Sequence, residues 1–225
     1  MPLCIVDRPS PNRDSRNGAP VDILVLHYTG MKTAEEALTR LCDPAAKVSA
    51  HYTIDRDGTI YAHVPEEERA WHAGVSYWGG ERNVNARSIG IEIVNPGHEF
   101  GYIPFADDQI DALIDLAREI LHRHPIPSKR IIGHSDVAPA RKIDPGELFP
   151  WQRLANESIG VWPKPAEAGS DFVANLKRFG YGLPPDIPVD EKDVIAAFQR
   201  HFRPTKIDGI ADAETQTLAN GLIES

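Results

Sequence analysis

Two cysteines in 225 residues, Cys4 and Cys42, are too few for a disulfide framework, and neither has the paired spacing of a cysteine zinc site. Cys42 falls among apolar residues of a predicted helix, where a buried thiol is the plain expectation. No apolar run approaches the length needed to cross a bilayer. Basic residues number 24 against 33 acidic ones; a net charge of -9 with no basic run argues against a nucleic-acid or anionic-membrane binder. The stretch Met1 to Pro20 is polar and proline-bearing, without a hydrophobic segment of signal-peptide length. Taken as written, the chain is expected in the cytoplasm; a removed leader would place it in the periplasm.

Histidine is the residue in surplus, with nine copies, and it directs attention to metal or acid-base chemistry. Residues 1–20 read as a loosely held arm. Val21 to Leu26 is a β-branched apolar run ending in His27-Tyr28-Thr29-Gly30, a buried strand giving way to a loop. Thr33 to Cys42 follows as a helix, with Thr33 as N-cap and Glu36 three residues on. Val48–Ile54 and Thr59–Val64 flank Asp55-Arg56-Asp57-Gly58, a hairpin signal. His63 alternates with Tyr61 and reads as a sheet-surface residue. Tyr77, Trp78, Gly79 and Gly80 form a loop that either lines a groove or packs on a neighbour. Ser88 to Val94 is another buried strand, and Glu92 inside it is the anomaly. A carboxylate there costs several kcal/mol, roughly, unless it is paired or put to use.

Asp107 to His124 is the clearest helix, with Ile110, Leu113, Ile114, Ala117, Ile120 and Leu121 at helical spacing and Pro125 just beyond. His122 and His124 in its last turn suit the helix dipole. A short strand, Arg130 to Gly133, then delivers His134. Residues 161–169 read as a proline- and small-residue linker. Beyond it, helical patterns at Asp171–Phe179, Asp190–Phe202 and Ala213–Leu222 predict a small three-helix domain over residues 170–225. The catalytic part is expected over 21–160. Alternating strands and helices with site candidates at strand ends indicate an α/β fold.

The loop from His134 to Gly146 gathers one imidazole, two carboxylates and two cations. His27, His134 and Asp144 supply a donor set that zinc accepts, and a catalytic zinc keeps a fourth position for water or substrate. His51 and His72 are competing ligands on spacing alone. Asp136 competes with Asp144, or orients His134 from behind. Zinc lowers the pKa of water from ~15.7 towards ~7. Glu92 is placed to move the proton, and Lys142, two residues before Asp144 and on the same face of an extended segment, to stabilise an oxyanion.

Val25-Leu26-His27-Tyr28-Thr29, Ser49-Ala50-His51-Tyr52, Trp71-His72-Ala73-Gly74, Ser88-Ile89-Gly90-Ile91-Glu92, Gly133-His134-Ser135-Asp136 and Lys142-Ile143-Asp144-Pro145-Gly146 together resemble the zinc N-acetylmuramoyl-L-alanine amidases of the AmpD and AmiD kind, in the family's order, from about Val21 to Trp151. The resemblance implies a mixed central β-sheet flanked by helices, related to the T7 lysozyme and peptidoglycan-recognition fold. It implies Zn2+ on His27, His134 and Asp144, with Glu92 and Lys142 catalytic. It makes His51 a structural residue of the hairpin and puts Trp71, His72, Ala73 and Gly74 on the substrate groove. The tail, through Ala197-Phe198-Gln199-Arg200 and Asp208-Gly209-Ile210, resembles a peptidoglycan-binding module, although Ala211 or Asp212 stands where that module has a second glycine.

The implied reaction is cleavage of the amide between N-acetylmuramic acid and L-alanine in peptidoglycan fragments, 1,6-anhydro muropeptides of cell-wall recycling in particular. Three alternatives remain open at this stage. One is a non-catalytic peptidoglycan-recognition protein on the same fold, which would lack a zinc ligand. The others are a periplasmic amidase acting on intact sacculus and a metallopeptidase cutting elsewhere in the stem.

Overall fold

The computed structural model describes residues 3–167 and 171–224. In chain order its elements are β1 (Ile5–Asp7), β2 (Arg13–Ser15), β3 (Ile23–Tyr28), α1 (Ala34–Cys42), β4 (Tyr52–Ile54), β5 (Ile60–Ala62), β6 (Glu68–Ala70), α2 (Val84–Arg87), β7 (Ser88–Ile93), α3 (Gly97–Phe100), α4 (Asp107–Arg123), β8 (Ile131–Gly133), α5 (His134–Val137), α6 (Trp151–Asn156), α7 (Phe172–Phe179), α8 (Glu191–Phe202) and α9 (Ala213–Glu224). Six strands form a mixed sheet in the order β1-β5-β4-β7-β3-β8, all neighbours parallel except the β4–β5 hairpin. The predicted α/β class and mixed sheet flanked by helices are therefore what the chain builds.

Strand alternation gives the sheet two unlike faces. Leu24, Leu26, Ile89, Ile91, Ile93 and Ile131 point to one face, where Ile110, Leu113, Ala117 and Ile120 of α4 close a core. Each such side chain contributes roughly 1.5–3 kcal/mol by leaving water. Ile23, Val25 and Ile132 point to the other face and share a second core with Leu176, Val194, Phe198 and Phe202 of the C-terminal helices. On this second face His27 follows Val25, and Ser88, Gly90 and Glu92 alternate with the isoleucines of β7. The site is built there.

Local signals explain the element ends. Thr33 accepts from Glu36 N to cap α1, and Asp190 caps α8 with a reciprocal bond from Asp193. Gly58 closes the β4–β5 turn at φ 83, donating from its amide to Asp55 O.

Several expectations require correction. Residues 1–20 are not a loosely held arm: β1 pairs with β5, β2 pairs with β6, and Arg16 is only 6% exposed. The Arg16 guanidinium donates to the carbonyls of Glu66, Ala86 and Ser88 and lies 2.8 Å from His51 Nε2. His63 is buried rather than on the sheet surface, because β1 covers the β5 edge; its Nε2 meets Thr53 Oγ1 and its Nδ1 meets Arg8 O. His124 does more than meet a helix dipole, since its Nε2 lies 2.7 Å from Glu66 Oε2.

Leu176, Phe179, Val194, Phe198, Phe202, Leu218 and Leu222 of the C-terminal helices pack in one cluster with Ile23, Val25 and Ile132 of the second sheet face. Of the linker reading over 161–169, residues 168–169 lie outside the described residues. Ala166 N donates to Thr217 O, so the stretch just before them runs along α9. No helix among the described residues is long and apolar enough to cross a membrane.

Candidate active site and metal centre

Three parallel strands, β7, β3 and β8, end side by side, and carboxyl ends of parallel strands are where open α/β sheets place ligands. Register puts His27 beside Glu92 and Leu26 beside Gly133, so His134, the first residue after β8, emerges next to His27. Asp144 returns to the same point at the end of a loop that is tied back by Ser135 N donating to Asp144 O.

His27 Nδ1, His134 Nδ1 and Asp144 Oδ2 form a triangle with sides of 3.0, 3.1 and 3.0 Å, all three residues buried. Two imidazole nitrogens facing each other and one carboxylate oxygen cannot satisfy three contacts with protons alone. If both nitrogens carry hydrogen they oppose each other, and if one does not, a contact goes unmade. A cation answers all three. A tetrahedral ion with bonds of about 2.0–2.1 Å has ligand–ligand edges of about 3.3 Å, close to the spacing seen, so this donor set fits zinc.

Burial lowers the His27 imidazole to about 4, with the neighbouring His134 adding to the effect and Asp144 opposing it, so the ring is neutral and ligand-competent at pH 7. Burial pushes the Asp144 carboxyl up, but the two imidazoles outweigh it and hold the group well below the usual carboxylate range.

The competing ligands separate by geometry. With Nδ1 of His27 turned to the cluster, its Nε2 carries the proton and donates to His72 Nδ1 at 3.0 Å. His72 Nε2 then donates to Ser88 Oγ at 3.1 Å, and Ser88 Oγ to Val84 O at 2.7 Å. One proton serves each contact, which fixes both ring tautomers. Burial, reinforced by the surrounding imidazoles, holds His72 well below its ordinary value, so it stays a neutral acceptor. Gly90 makes room for it: a Cβ there would lie 2.5 Å from the His72 ring. His51 lies behind that pair, its Nδ1 accepting from Gly90 N and its Nε2 meeting Glu68 O, which is a strut between strands.

The stretch from Trp71 to Gly74 divides its labour. Trp71 and His72 line the cleft above the triangle, whereas Ala73 and Gly74 lie outside its wall. The Ala73 carbonyl accepts from His134 Nε2 and from Arg141 Nη2, so this backbone orients the second imidazole as His72 orients the first. Asp136 neither joins the cluster nor touches the His134 ring; it faces Tyr181 and His201 instead. The loop aromatics part company: Trp78 packs edge-on against Phe179 and Tyr181, whereas Tyr77 lines a second pocket with Val75, Val137 and Pro188.

The cleft holds about 400 Å³ and is also lined by Tyr28, Arg40, Glu92 and Lys142. Glu92 Oε2 is closed off from solvent without a hydrogen-bond partner among the described residues. Burial, then the Asp144 charge, raises the Glu92 carboxyl well above its ordinary value, and Lys142 pulls it partly back. Sequence reasoning missed three contributors. Tyr28, its phenol pushed to about 12 by burial, meets His98 Nδ1 at the cleft wall. Asn85 Oδ1 accepts from the amides of His72 and Ala73, and Arg141 clamps the carbonyls of Ala73 and Val75. Tyr28, beside His27 in the quoted motif, and Arg141, one of the two cations of the loop from His134 to Gly146, had a sequence signal; Asn85 had none.

Comparison with known proteins agrees with this geometry. The family model described as N-acetylmuramoyl-L-alanine amidase matches residues 17–147. The chain is 39% identical to N-acetylmuramoyl-L-alanine amidase AmiD of Escherichia coli K12 over 98% of this chain and 90% of that protein. It is 37% identical to 1,6-anhydro-N-acetylmuramyl-L-alanine amidase AmpD of the same organism over 65% of this chain and 87% of the relative. Its structure superposes on E. coli AmiD in complex with the substrate anhydro-N-acetylmuramic acid-L-Ala-D-γ-Glu-L-Lys with a TM-score of 0.81, covering 94% and 92% of the two chains at 39% identity. Pseudomonas aeruginosa AmpDh3 in complex with anhydromuramic pentapeptide gives 0.82, with 91% of each chain covered at 36% identity. With a zinc-compatible triad at the floor of a cleft and relatives matching nearly end to end, the chain belongs to the N-acetylmuramoyl-L-alanine amidase family.

Proposed function

We propose that this amidase is a zinc enzyme acting on 1,6-anhydro muropeptides, with His27, His134 and Asp144 as metal ligands and Glu92 and Lys142 as its catalytic side chains. The observation that carries the reading is the convergence of three donor atoms within 4.8 Å of one another beneath a cleft that Glu92 and Lys142 also line. Anhydro-muramoyl ligands seated in two relatives of the same fold support the substrate class.

Zinc, if held by His27, His134 and Asp144, would supply Lewis acidity to a carbonyl and lower the pKa of water from ~15.7 towards ~7. The remaining work falls to side chains. Glu92, whose Oε2 has no hydrogen-bond partner among the described residues, takes the proton from the attacking water and returns it to the leaving nitrogen of L-alanine. Lys142 faces the oxygen that becomes negative as the carbonyl turns tetrahedral. His72 and the Ala73 carbonyl keep both imidazoles in the tautomer that leaves Nδ1 free. The C–N bond breaks, leaving a carboxylate on the lactyl side and a free amine on an intact stem peptide. Trp71 and Tyr28 form cleft walls against the substrate, and the substrate-binding role proposed for His72, Ala73 and Gly74 narrows to the cleft-facing edge of His72.

Zinc content and product masses test this together. Wild-type protein should bind one zinc and release intact stem peptide from anhydro-muropeptide. His27→Ala should lose both properties. Full turnover in zinc-free His27→Ala, or products cut within the stem, would overturn the reading. Running intact sacculus in parallel distinguishes the recycling substrate from a periplasmic one, and cell fractionation then assigns the compartment.

A further inference from the structure

Asp136 is one of the most deeply placed carboxylates in the chain, 2% exposed, and lies two residues beyond His134. It receives three hydrogen bonds. Gly133 N donates to Oδ2 at 2.7 Å from within the catalytic segment. The other two cross from the C-terminal helical segment: Tyr181 Oη to Oδ1 at 2.5 Å and His201 Nδ1 to Oδ2 at 2.8 Å.

The surroundings of His201 show what it is kept for. Its ring is stacked between Trp151 at 3.7 Å and Phe202 at 3.8 Å, so it has no room to turn. Its other nitrogen, Nε2, is buried without a partner among the described residues. A phenylalanine would stack as well and leave no orphaned nitrogen, an omission that normally destabilises. Among the described residues, the polar partner of His201 is Asp136. An interface needing only adhesion gains nothing from a buried carboxylate, since well-packed apolar groups serve it at least as well.

What Asp136 controls follows from the turn it occupies. α5 is a single turn whose first residue is His134, and the Asp136 carboxylate reaches back to the amide that starts it. Two residues on, Ser135 N donates to the Asp144 carbonyl. One short turn thus sets the backbone of two of the three ligand residues. Gly180, at the end of α7, lets the helical segment approach: a Cβ there would lie 2.4 Å from Trp78, and Gly79 N donates to Gly180 O alongside.

We propose that the C-terminal helical segment is a working part of the metal centre: through Tyr181 and His201 it holds Asp136, and through Asp136 the turn carrying His134 and the backbone of Asp144. Tyr181 and His201 are positioning residues, outside the lining of the cleft but coupled to metal affinity. The proposal rests on the ligand assignment above, and it gives this segment a role independent of any glycan it binds.

The test is zinc affinity in the full-length chain, by competition with a chromophoric chelator. Tyr181→Phe/His201→Phe keeps both rings and removes both donors. It should bind zinc about 10–100-fold more weakly, the range typical of outer-sphere partners. Its kcat should fall at limiting zinc, with KM for anhydro-muropeptide unchanged. Leu218→Ala, which loosens the same apolar cluster away from Asp136, is the comparison and should bind zinc like the wild type. Wild-type affinity in the double variant overturns the proposal, as does equal weakening in Leu218→Ala. If the double variant does not fold, Tyr181→Phe alone decides: weakening of threefold or more supports the coupling and no change refutes it. A wild-type chain that binds no zinc would instead sink the ligand assignment.

Discussion

Replacing Glu92 with glutamine should make the metal-free protein more stable while destroying its activity. Glu92 Oε2 is buried without a partner among the described residues, and its carboxyl is raised by burial and by the charge of Asp144. The folded state therefore resists the ionised form. Below the ordinary carboxyl value of 4.5 the group is protonated in both folded and unfolded chains and the charge exacts no penalty. As pH rises, the unfolded chain loses its proton first, and stability falls until the native group has ionised as well. Glutamine keeps the shape and removes the titration.

Leaving a neutral buried polar group unsatisfied costs about 1–3 kcal/mol and a charged one more; glutamine leaves a neutral amide where the carboxylate stood, so only the excess is recovered, on the order of 1–2 kcal/mol. At about 2–4 °C of Tm per kcal/mol for a chain of this length, Glu92→Gln should melt roughly 2–8 °C above the wild type at pH 8 in the presence of chelator. The difference should shrink as the pH is lowered towards 4.5. Turnover of anhydro-muropeptide should drop by about a hundred- to ten-thousand-fold, as expected when a general base is removed. Thermal melts across pH 4.5–8 on chelated protein read the first effect and a product assay on zinc-loaded protein the second. A variant that melts at or below the wild type at pH 8 would mean that the folded protein already satisfies the carboxylate. Glu92 would then not be the idle base the mechanism requires.

Gly90→Ala would place a Cβ 2.5 Å from the His72 ring, so it should displace His72, weaken zinc binding and destabilise the fold by about 1–3 kcal/mol; calorimetry and chelator competition measure both. His72→Ala removes the acceptor for His27 Nε2 and should weaken zinc about 10–100-fold; His72→Asn, which can keep an acceptor there, should recover part of it. Arg16→Met should cost at least about 1–3 kcal/mol in a urea melt, because four backbone carbonyls lose their guanidinium donor.

The legible parts of this molecule were those written in short-range pattern. Strand ends at His27, Glu92 and His134 could be read from apolar runs breaking into loops, and the alternation in Ser88-Ile89-Gly90-Ile91-Glu92 already announces two unlike faces. The α4 stripe and the turn at Gly58 were equally plain. What escaped notice depends on partners far away in the chain. His63 reads as exposed until β1 arrives to cover β5. Arg16 looks like a loop arginine because its acceptors are backbone carbonyls, which have no side-chain signature. His72 and Asp136 were both recognised as polar oddities near the site. Their roles turn on which atom of a ring or carboxylate faces which neighbour, and residue spacing carries no information at that scale.

Arg16 also separates two notions of a domain that are often treated as one. The stretch by which this family is recognised runs from residue 17 to residue 147, so it starts just after Arg16 and stops short of α6. Recognition follows the residues that relatives have in common, and folding follows the residues that satisfy buried atoms. Excised at those limits, the catalytic segment would lack the guanidinium that closes three interior carbonyls and the Trp151 ring that stacks on His201. The buried contacts of the catalytic segment thus extend beyond its signature on both sides. Minimal versions intended for expression or engineering should begin ahead of β1 and retain the chain through α8.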